Sequence, residues 1–306
     1  MTDRPGTRRP GRTDNRGRPL WLLLPGGVLI ALVIIIPAVL ALWMSLLALD
    51  QYSLRQWLSA PFIGIANYVE TFVSSRLLHG VWVSVAFGVL TTALTIPIGV
   101  AAALAVHTRF RGRGLVRSAF LIPYVLPSFV TATIWRTLLQ PSGAVNGLLD
   151  RLGIDGGQWL VGDRSFWTLV LVDTWTAWPF VYLLALAGLQ VIDRETHEAA
   201  ALDGASWRQK LRFIVLPALR GPLSLAVIIA TLSHINNFTL PYVLFGSPAP
   251  RPVEVLPMLT YTTSFETFRF GLGSAMAILS VVLIAIPLFV YLRAVRLDTG
   301  TTAGER

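Results

Sequence analysis

The most prominent pattern along the chain is a series of six apolar runs, separated by polar and charged segments. At about 1.5 Å per residue, helices of this length cross a hydrocarbon core of about 30 Å. We therefore predict an all-α membrane protein with six transmembrane helices, each of which contains a proline that should kink it. The predicted spans are Leu20–Leu49, Val81–Val106, Ala119–Leu139, Phe166–Val191, Pro222–Phe245 and Gly271–Leu292.

Composition supports this class. The 306 residues are 54% hydrophobic and only 13% charged, whereas a soluble domain carries about 25% charged residues. Mean hydropathy is +0.64. The chain has no cysteine, which excludes disulfides and thiolate metal sites.

The basic residues predict the orientation of the spans. The net charge is +9, but 18 of the 25 basic residues lie in the two termini, the loop after span two and the loop after span four. Because cytoplasmic segments are enriched in Arg and Lys, both termini are predicted to be cytoplasmic. Because these basic residues lie beside the apolar spans, membrane topology explains the positive net charge, and no nucleic-acid partner is expected.

The predicted organisation is a basic, disordered tail over residues 1–19, a membrane domain over 20–295 and a cytoplasmic tail over 296–306. The first tail serves as a topology anchor or touches anionic lipid. The apolar run that follows it is too long for the core of a cleaved signal peptide.

Residues 193–217 form a charged island between spans four and five. Glu198 to Leu202 is alanine-rich and favours a helix. Asp203-Gly204 should interrupt it, with Asp203 suited to an N-cap. A second short helix is expected from Ala205 and should end at Pro217, with Trp207, Leu211, Ile214 and Val215 towards one face. The residues alone leave two interpretations open: a docking element for a soluble partner, or an amphipathic helix on the membrane surface.

A family resemblance favours docking. The loop resembles the E-A-A-x-x-x-G…I-x-L-P motif of bacterial ABC importer permeases, a family with a six-helix type I fold. In that family the loop is the coupling helix that sits in a cleft of the ATPase subunit. The resemblance implies ATPase coupling by Glu198, Ala199, Ala200, Asp203, Gly204, Ala205, Leu211, Ile214, Leu216 and Pro217. Leu211 stands where an aromatic residue is more usual.

Further segments resemble the carbohydrate branch of these permeases, the maltose- and glycerol-phosphate-importer subunits. They are Ile65–Tyr68, Leu121–Pro127 with Ile134–Arg136, Gly143–Gly153 and Phe270–Ala275. Two places depart from the family pattern. Val83-Ser84 replaces a common Asn-Thr, and Phe245–Pro248 replaces a Gly-Gly-Gly-Pro turn at the outer mouth.

Polar and aromatic residues inside spans four and five form a candidate solute pathway. A carboxylate within a membrane is costly unless it is paired, hydrated or protonated, so Asp173 should face a cavity or the bundle interior. Amide groups suit sugar hydroxyls, and aromatic rings suit the apolar faces of sugars. The alternative is that these side chains only fix helix packing. The candidates are Asp173, Trp175, Trp178, Tyr182, Ser233, Asn236 and Asn237.

The resemblance implies a permease subunit in a bacterial plasma membrane that imports a sugar. Its expected partners are a second homologous permease, two ATPase subunits that hold ATP and Mg, and an extracytoplasmic solute-binding protein. This chain has no G-x-x-x-x-G-K-[ST] phosphate loop, and we expect no cofactor, metal site or catalytic residue in it. Alternatives are import of glycerol phosphate or another small solute by the same architecture, and an intramembrane enzyme. Arg and Lys are absent from mid-span positions, which favours a neutral sugar over a phosphate.

Overall fold

A computed structural model describes residues 24–108 and 110–302. The predicted tail over residues 1–19 lies outside the described residues. The orientation predicted from the basic residues defines the outer and cytoplasmic ends of the helices. The chain folds into helices α1 (Leu24–Met44), α2 (Ala66–Val73), α3 (Ser75–Ala105), α4 (Arg113–Val125), α5 (Ser128–Leu138), α6 (Ala144–Arg151), α7 (Arg164–Leu189), α8 (Arg194–Leu202), α9 (Trp207–Ile235), α10 (Thr239–Phe245), α11 (Leu256–Tyr261) and α12 (Phe270–Thr302).

Five of these helices, α1, α3, α7, α9 and α12, are long and apolar enough to cross a membrane within the described part of the chain, and the bent pair α4–α5, counted as one broken span, brings the number to six. The all-α, six-span prediction is therefore confirmed. The third span differs from the predicted continuous helix, because α4 and α5 meet at 92° around Leu126 and Pro127. Proline lacks an amide hydrogen and restricts the residue before it, and Leu126 is extended with ψ at 132°.

The fifth span also differs from its prediction. Instead of one helix over 222–245, α9 ends at Ile235 and the separate helix α10 begins at Thr239. At the other end, Pro217 does not stop the helix. A π-helical turn over Leu211–Val215 precedes the proline, and the Leu216 amide donates to the carbonyl five residues back. The wider turn moves carbonyls away from the proline ring, so α9 continues through it.

Helix α7 is the centre of the bundle. It packs against α3, α9 and α4, and 56% of its most apolar stretch is buried, compared with 0% for α1. Small residues allow the closest approaches. A Cβ added at Gly99 of α3 would lie 2.6 Å from the Val181 Cβ, and one at Gly88 would lie 2.5 Å from Ile235. Glycine at these positions thus brings α3, α7 and α9 together without obstruction.

Candidate functional site

The cytoplasmic loop between the fourth and fifth spans begins with α8, which ends in a tight, hydrogen-bonded turn. Gly204 has φ at +70°, a left-handed conformation that costs a residue with a Cβ. Its amide donates to the Ala201 carbonyl at 3.1 Å, and the Ala205 amide donates to the Ala200 carbonyl at 2.9 Å. This pair of bonds is the Schellman motif. The predicted interruption at Gly204 is therefore present, with glycine at the position where the geometry requires it.

The helix that follows is capped by a residue not singled out from the sequence. The Ser206 hydroxyl accepts from the Gln209 amide, and the Gln209 side chain accepts from the Ser206 amide at 2.7 Å. This reciprocal pair is a capping box. The prediction that Asp203 is the N-cap is wrong, because Asp203 instead closes the C-terminal end of α8.

The tip of this loop carries exposed apolar side chains. Leu202 is 90% exposed, Trp207 67% and Phe213 69%. Trp207 therefore points away from the face that buries Val215, contrary to the expected shared stripe, while Leu211 packs inward near Val215. A surface cavity of about 320 Å³ lies beside the turn, lined by Asp203, Gly204, Ala205, Gln209, Lys210, Phe213 and Ile214.

The other predicted coupling residues lie around the same turn. Glu198 and Ala199 are exposed on α8 and Ala200 is half-buried, whereas Leu216 and Pro217 lie on α9 directly after its π-helical turn. A rigid turn with an apolar, exposed tip has the form of an element that docks into a partner's groove. The docking role itself remains a prediction.

Inside the membrane, a buried polar cluster joins the fourth and fifth spans. The Asp173 Oδ2 and the His234 Nδ1 are 2.7 Å apart, and the two side chains are only 6% and 5% exposed. The Asn237 amide donates to the Asp173 Oδ1 at 3.2 Å. The Thr176 hydroxyl donates to the Asp173 backbone carbonyl at 2.8 Å. Asp173 is thus paired and hydrogen-bonded, as the cost of a buried carboxylate requires.

This cluster forms one wall of a cavity of about 280 Å³, located where the third and fifth spans are both broken. Tyr124 and Ser128 line it from the two sides of the α4–α5 bend, and Asn237 lines it from the gap between α9 and α10. Cavities at interrupted transmembrane helices are typical of solute sites in transporters, because unwound backbone is tolerated where it lines a cavity. Among the described residues, those lining this cavity include no Arg or Lys.

The structure brings only some of the predicted pathway residues to this cavity. Asp173, Ser233 and Asn237 line it. Trp178 and Tyr182 instead pack edge-on against Phe120, with ring centroids at 5.2 and 5.7 Å, and Tyr182 is 1% exposed. Both rings therefore make helix-packing contacts in this conformation, and their role in a solute pathway stays a prediction.

Trp175 and Asn236 also lie away from the cavity lining. Trp175 packs edge-on against Trp135 with ring centroids 5.6 Å apart. Asn236 is exposed at the C-terminal end of α9.

The cavity lining also contains residues outside the predicted pathway set. His234 stood out in the sequence only as one of the polar residues at the centre of span five, and Tyr124, Ser128, Thr176 and Phe180 were missed. His234 precedes Asn237 by three positions, so helical spacing could have identified a shared face. The residues of the third span carried no such signal, because the bend that turns them inward is not visible as periodicity. Within residues 24–108 and 110–302, no group of three or more His, Cys, Asp or Glu side chains could hold a metal ion.

Two ion pairs tie the outer ends of the helices. Arg269, just before α12, forms a bidentate pair with Glu70 of α2 at 2.7 Å for both contacts. A second ion pair joins Arg76 to Glu254. In the first pair, the hydrogen bonds from Arg269 lower the pKa of the Glu70 carboxyl, and burial opposes this effect only in part. Arg136 donates to the Val243 carbonyl at 3.1 Å and so attaches α5 to the last turn of α10.

Known proteins resemble this chain in sequence and in fold. The chain is 31% identical to the trehalose/maltose transport system permease protein MalF of Thermococcus litoralis, over 90% of this chain and 92% of that protein. It is 29% identical to the sn-glycerol-3-phosphate transport system permease protein UgpA of Brucella abortus, over 90% and 94%. A crystal structure of a bacterial alginate ABC transporter contains a chain with the same fold, at a TM-score of 0.78 and 21% identity over 92% and 94% of the two chains.

Residues 95–296 match the family model described as "Binding-protein-dependent transport system inner membrane component". This range contains the cavity, the Asp173–His234 pair and the cytoplasmic loop. Members are membrane components of transport systems, which excludes the alternative of an intramembrane enzyme. The chain is a multi-pass membrane permease and belongs to the family of inner-membrane components of binding-protein-dependent transport systems.

Proposed function

We propose that this chain is one of two permease subunits of an ATP-driven importer in a bacterial plasma membrane, and that it conducts a neutral sugar. The observation that carries the sugar assignment is the cavity at the two broken spans, with hydrogen-bonding side chains and, among the described residues lining it, no Arg or Lys. A volume of about 280 Å³ is close to the lower limit of small-molecule sites, about 300 Å³.

Hydroxyl groups suit this lining. The carboxylate of Asp173 and the amide of Asn237 accept hydrogen bonds from sugar hydroxyls, and the Asn237 amide also donates. Tyr124 and Phe180 stack with ring centroids 6.3 Å apart and place aromatic surface at the same cavity. Aromatic rings beside hydrogen-bonding groups match a sugar, which has apolar faces and a polar edge.

Glycerol phosphate fits less well. A phosphate is recognised by Arg, Lys or exposed backbone amides. Asp173 is the one carboxylate among the described residues that line the cavity, and it would repel a phosphate in a low-dielectric site. The relative named for sn-glycerol 3-phosphate shows that the architecture alone does not decide between these solutes.

The cytoplasmic loop would receive the mechanical input. In this proposal the turn at Gly204, with Leu202 and Trp207 at its surface, docks into a cleft of a partner ATPase that binds ATP and Mg. Movement of the loop would pass into α9 directly, because α9 runs from Trp207 to Ile235 and carries His234 at its far end. Two ATPases, a second permease and an extracytoplasmic binding protein would complete the importer.

Uptake by the native host tests the proposal. A strain deleted for this chain, with and without a plasmid copy, is assayed for uptake of radiolabelled trehalose, maltose and sn-glycerol 3-phosphate. We expect complementation to restore uptake of at least one of the two sugars and to leave glycerol 3-phosphate uptake unchanged. Restoration of glycerol 3-phosphate uptake alone would overturn the sugar assignment. Equal uptake of every probe with and without the chain would overturn the importer role for these solutes.

A further inference from the structure

Two side chains, His234 and Asn237, hold the Asp173 carboxylate, one at each oxygen. His234 Nδ1 meets Oδ2 at 2.7 Å, and Asn237 donates to Oδ1 at 3.2 Å. Both partners of the carboxylate lie at the break in the fifth span, whereas Asp173 lies on the fourth. The orientation of the carboxylate is therefore set across the interface between the two spans, beside the cavity that it lines.

The surroundings of the imidazole indicate where its hydrogen lies. The Nε2 atom is buried and has no hydrogen-bond partner among the described residues, and the edge of Phe87 packs near the ring with centroids 6.3 Å apart. A hydrogen on Nε2 would be a buried donor without an acceptor, which costs more than an unpaired lone pair there. The arrangement favours a neutral ring that carries its hydrogen on Nδ1 and donates it to Asp173.

From this geometry we infer that His234 is a positioning residue: it acts on the solute through Asp173, by holding the carboxylate so that its free lone pairs face the cavity. A carboxylate accepts about four hydrogen bonds, so the bonds from His234 and Asn237 leave acceptor capacity for a hydroxyl. Without the imidazole donor, the carboxylate is free to rotate towards another donor, and this rotation turns the acceptor away from the cavity. The inference rests on the proposed function, since it assumes that a hydroxylated solute enters this cavity.

Three substitutions separate positioning from packing and from direct contact. In His234→Asn the side-chain amide nitrogen lies near the place of Nδ1 and keeps the donor to Asp173. In His234→Gln the amide reaches the place of Nε2, so it resembles histidine in polarity but not in the position of the donor. His234→Phe retains ring volume without a donor. His79→Asn is the matched control, because His79 contacts the Arg251 carbonyl at the outer end and does not line the cavity.

The importer is purified from the host membrane with its partner subunits and reconstituted in vesicles, and trehalose and maltose uptake is measured beside ATP hydrolysis stimulated by loaded binding protein. We expect His234→Phe and His234→Gln to lower the maximal uptake rate by about tenfold or more, the equivalent of one charge-assisted hydrogen bond. His234→Asn and His79→Asn should stay within about threefold of wild type. Stimulated ATP hydrolysis should persist in all four variants, because the cytoplasmic loop is unchanged.

A defect in folding or assembly would lower hydrolysis and uptake together and would not be rescued by His234→Asn. Equal uptake by the Phe and Asn variants, or by the Gln and Asn variants, would overturn the positioning role. Loss of uptake in Asp173→Asn combined with normal uptake in His234→Phe would overturn this inference while leaving the proposed function intact.

A second measurement needs no solute. In ¹⁵N-histidine-labelled protein in bilayers, the His234 signals, assigned by their loss in His234→Asn, should show a protonated Nδ1 and a bare Nε2. Asp173→Asn should shift the ring towards a mixture of tautomers. A hydrogen on Nε2 in the wild-type protein would overturn the inference, even if sugar uptake is as proposed.

Discussion

The turn at Gly204 offers the sharpest test of how this permease receives force. Gly204 has φ at +70°, in the left-handed region, where a residue with a Cβ has a conformational free-energy cost of about 1–2 kcal/mol. Among such residues the cost is smallest for asparagine. Proline cannot adopt this φ, and it would also remove the hydrogen bond from the Gly204 amide to Ala201, 3.1 Å in length. That bond contributes about 0.5–1.5 kcal/mol.

Open space surrounds Gly204, since a Cβ there would meet no atom within 4 Å. The cost of substitution is therefore conformational and not steric. We expect the loss of coupling to follow the series Gly204→Asn, Gly204→Ala, Gly204→Val and Gly204→Pro, in increasing order. The free energy of forming the turn should rise by less than about 1 kcal/mol with asparagine, by about 1–2 kcal/mol with alanine and by about 3 kcal/mol or more with proline.

The assay is ATP hydrolysis by the reconstituted importer, with and without loaded binding protein. Gly221→Ala is the matched control. Gly221 also has open space around it, but it lies inside α9 with ordinary helical geometry, where alanine is favoured by up to about 1 kcal/mol. The control should couple normally. If Gly204→Pro assembles with its partners and couples as well as wild type, the loop has no part in transmission, and the docking proposal fails.

Three further predictions concern local stability. Ser206→Ala should destabilise the start of α9 by about 1 kcal/mol through loss of the capping box, seen as faster amide hydrogen exchange around residue 209, and unchanged exchange would contradict the cap. The Glu70–Arg269 pair is half-exposed and worth at most about 1 kcal/mol. Because the folded-state pKa of Glu70 is lowered, this stabilisation is present above the unfolded value near 4.5 and is lost as pH falls through the folded value. The melting difference between wild type and Glu70→Gln should therefore vanish in acid, and a constant difference would contradict this reasoning. Gly99→Val should abolish accumulation in the membrane, since its side chain would overlap Val181, and normal accumulation would show that α3 and α7 can separate.

Much of the fold could be predicted from the sequence because the thickness of a bilayer sets the minimum length of a helix that spans it. Six apolar runs imply six spans, since each must satisfy its backbone hydrogen bonds within a helix about 30 Å long. Charge asymmetry then gave a predicted orientation. Gly204 was likewise identifiable from local chemistry alone, because a left-handed turn after a helix selects glycine.

The positions of the helix breaks could not be predicted from the sequence, unlike the number of spans. Every span contains a proline, but within residues 24–108 and 110–302 a sharp bend between two helix segments, of 92°, is found only around Pro127. The π-helical turn before Pro217 accommodates the proline ring, so α9 continues through a position where the helix was expected to end. Whether a proline bends, breaks or merely widens a helix depends on which neighbours can accommodate the displaced carbonyls, and local sequence does not contain that information.

The same division holds for the candidate site. Sequence by itself indicated that Asp173 must be paired or face a cavity, because an isolated buried carboxylate is too costly. It could not identify the partner of Asp173, which is His234, 61 positions away, nor could it show that Trp178 and Tyr182 pack edge-on against Phe120. Helical periodicity determines which residues share a face, whereas the packing of three helices against one another decides which of those faces meets the cavity.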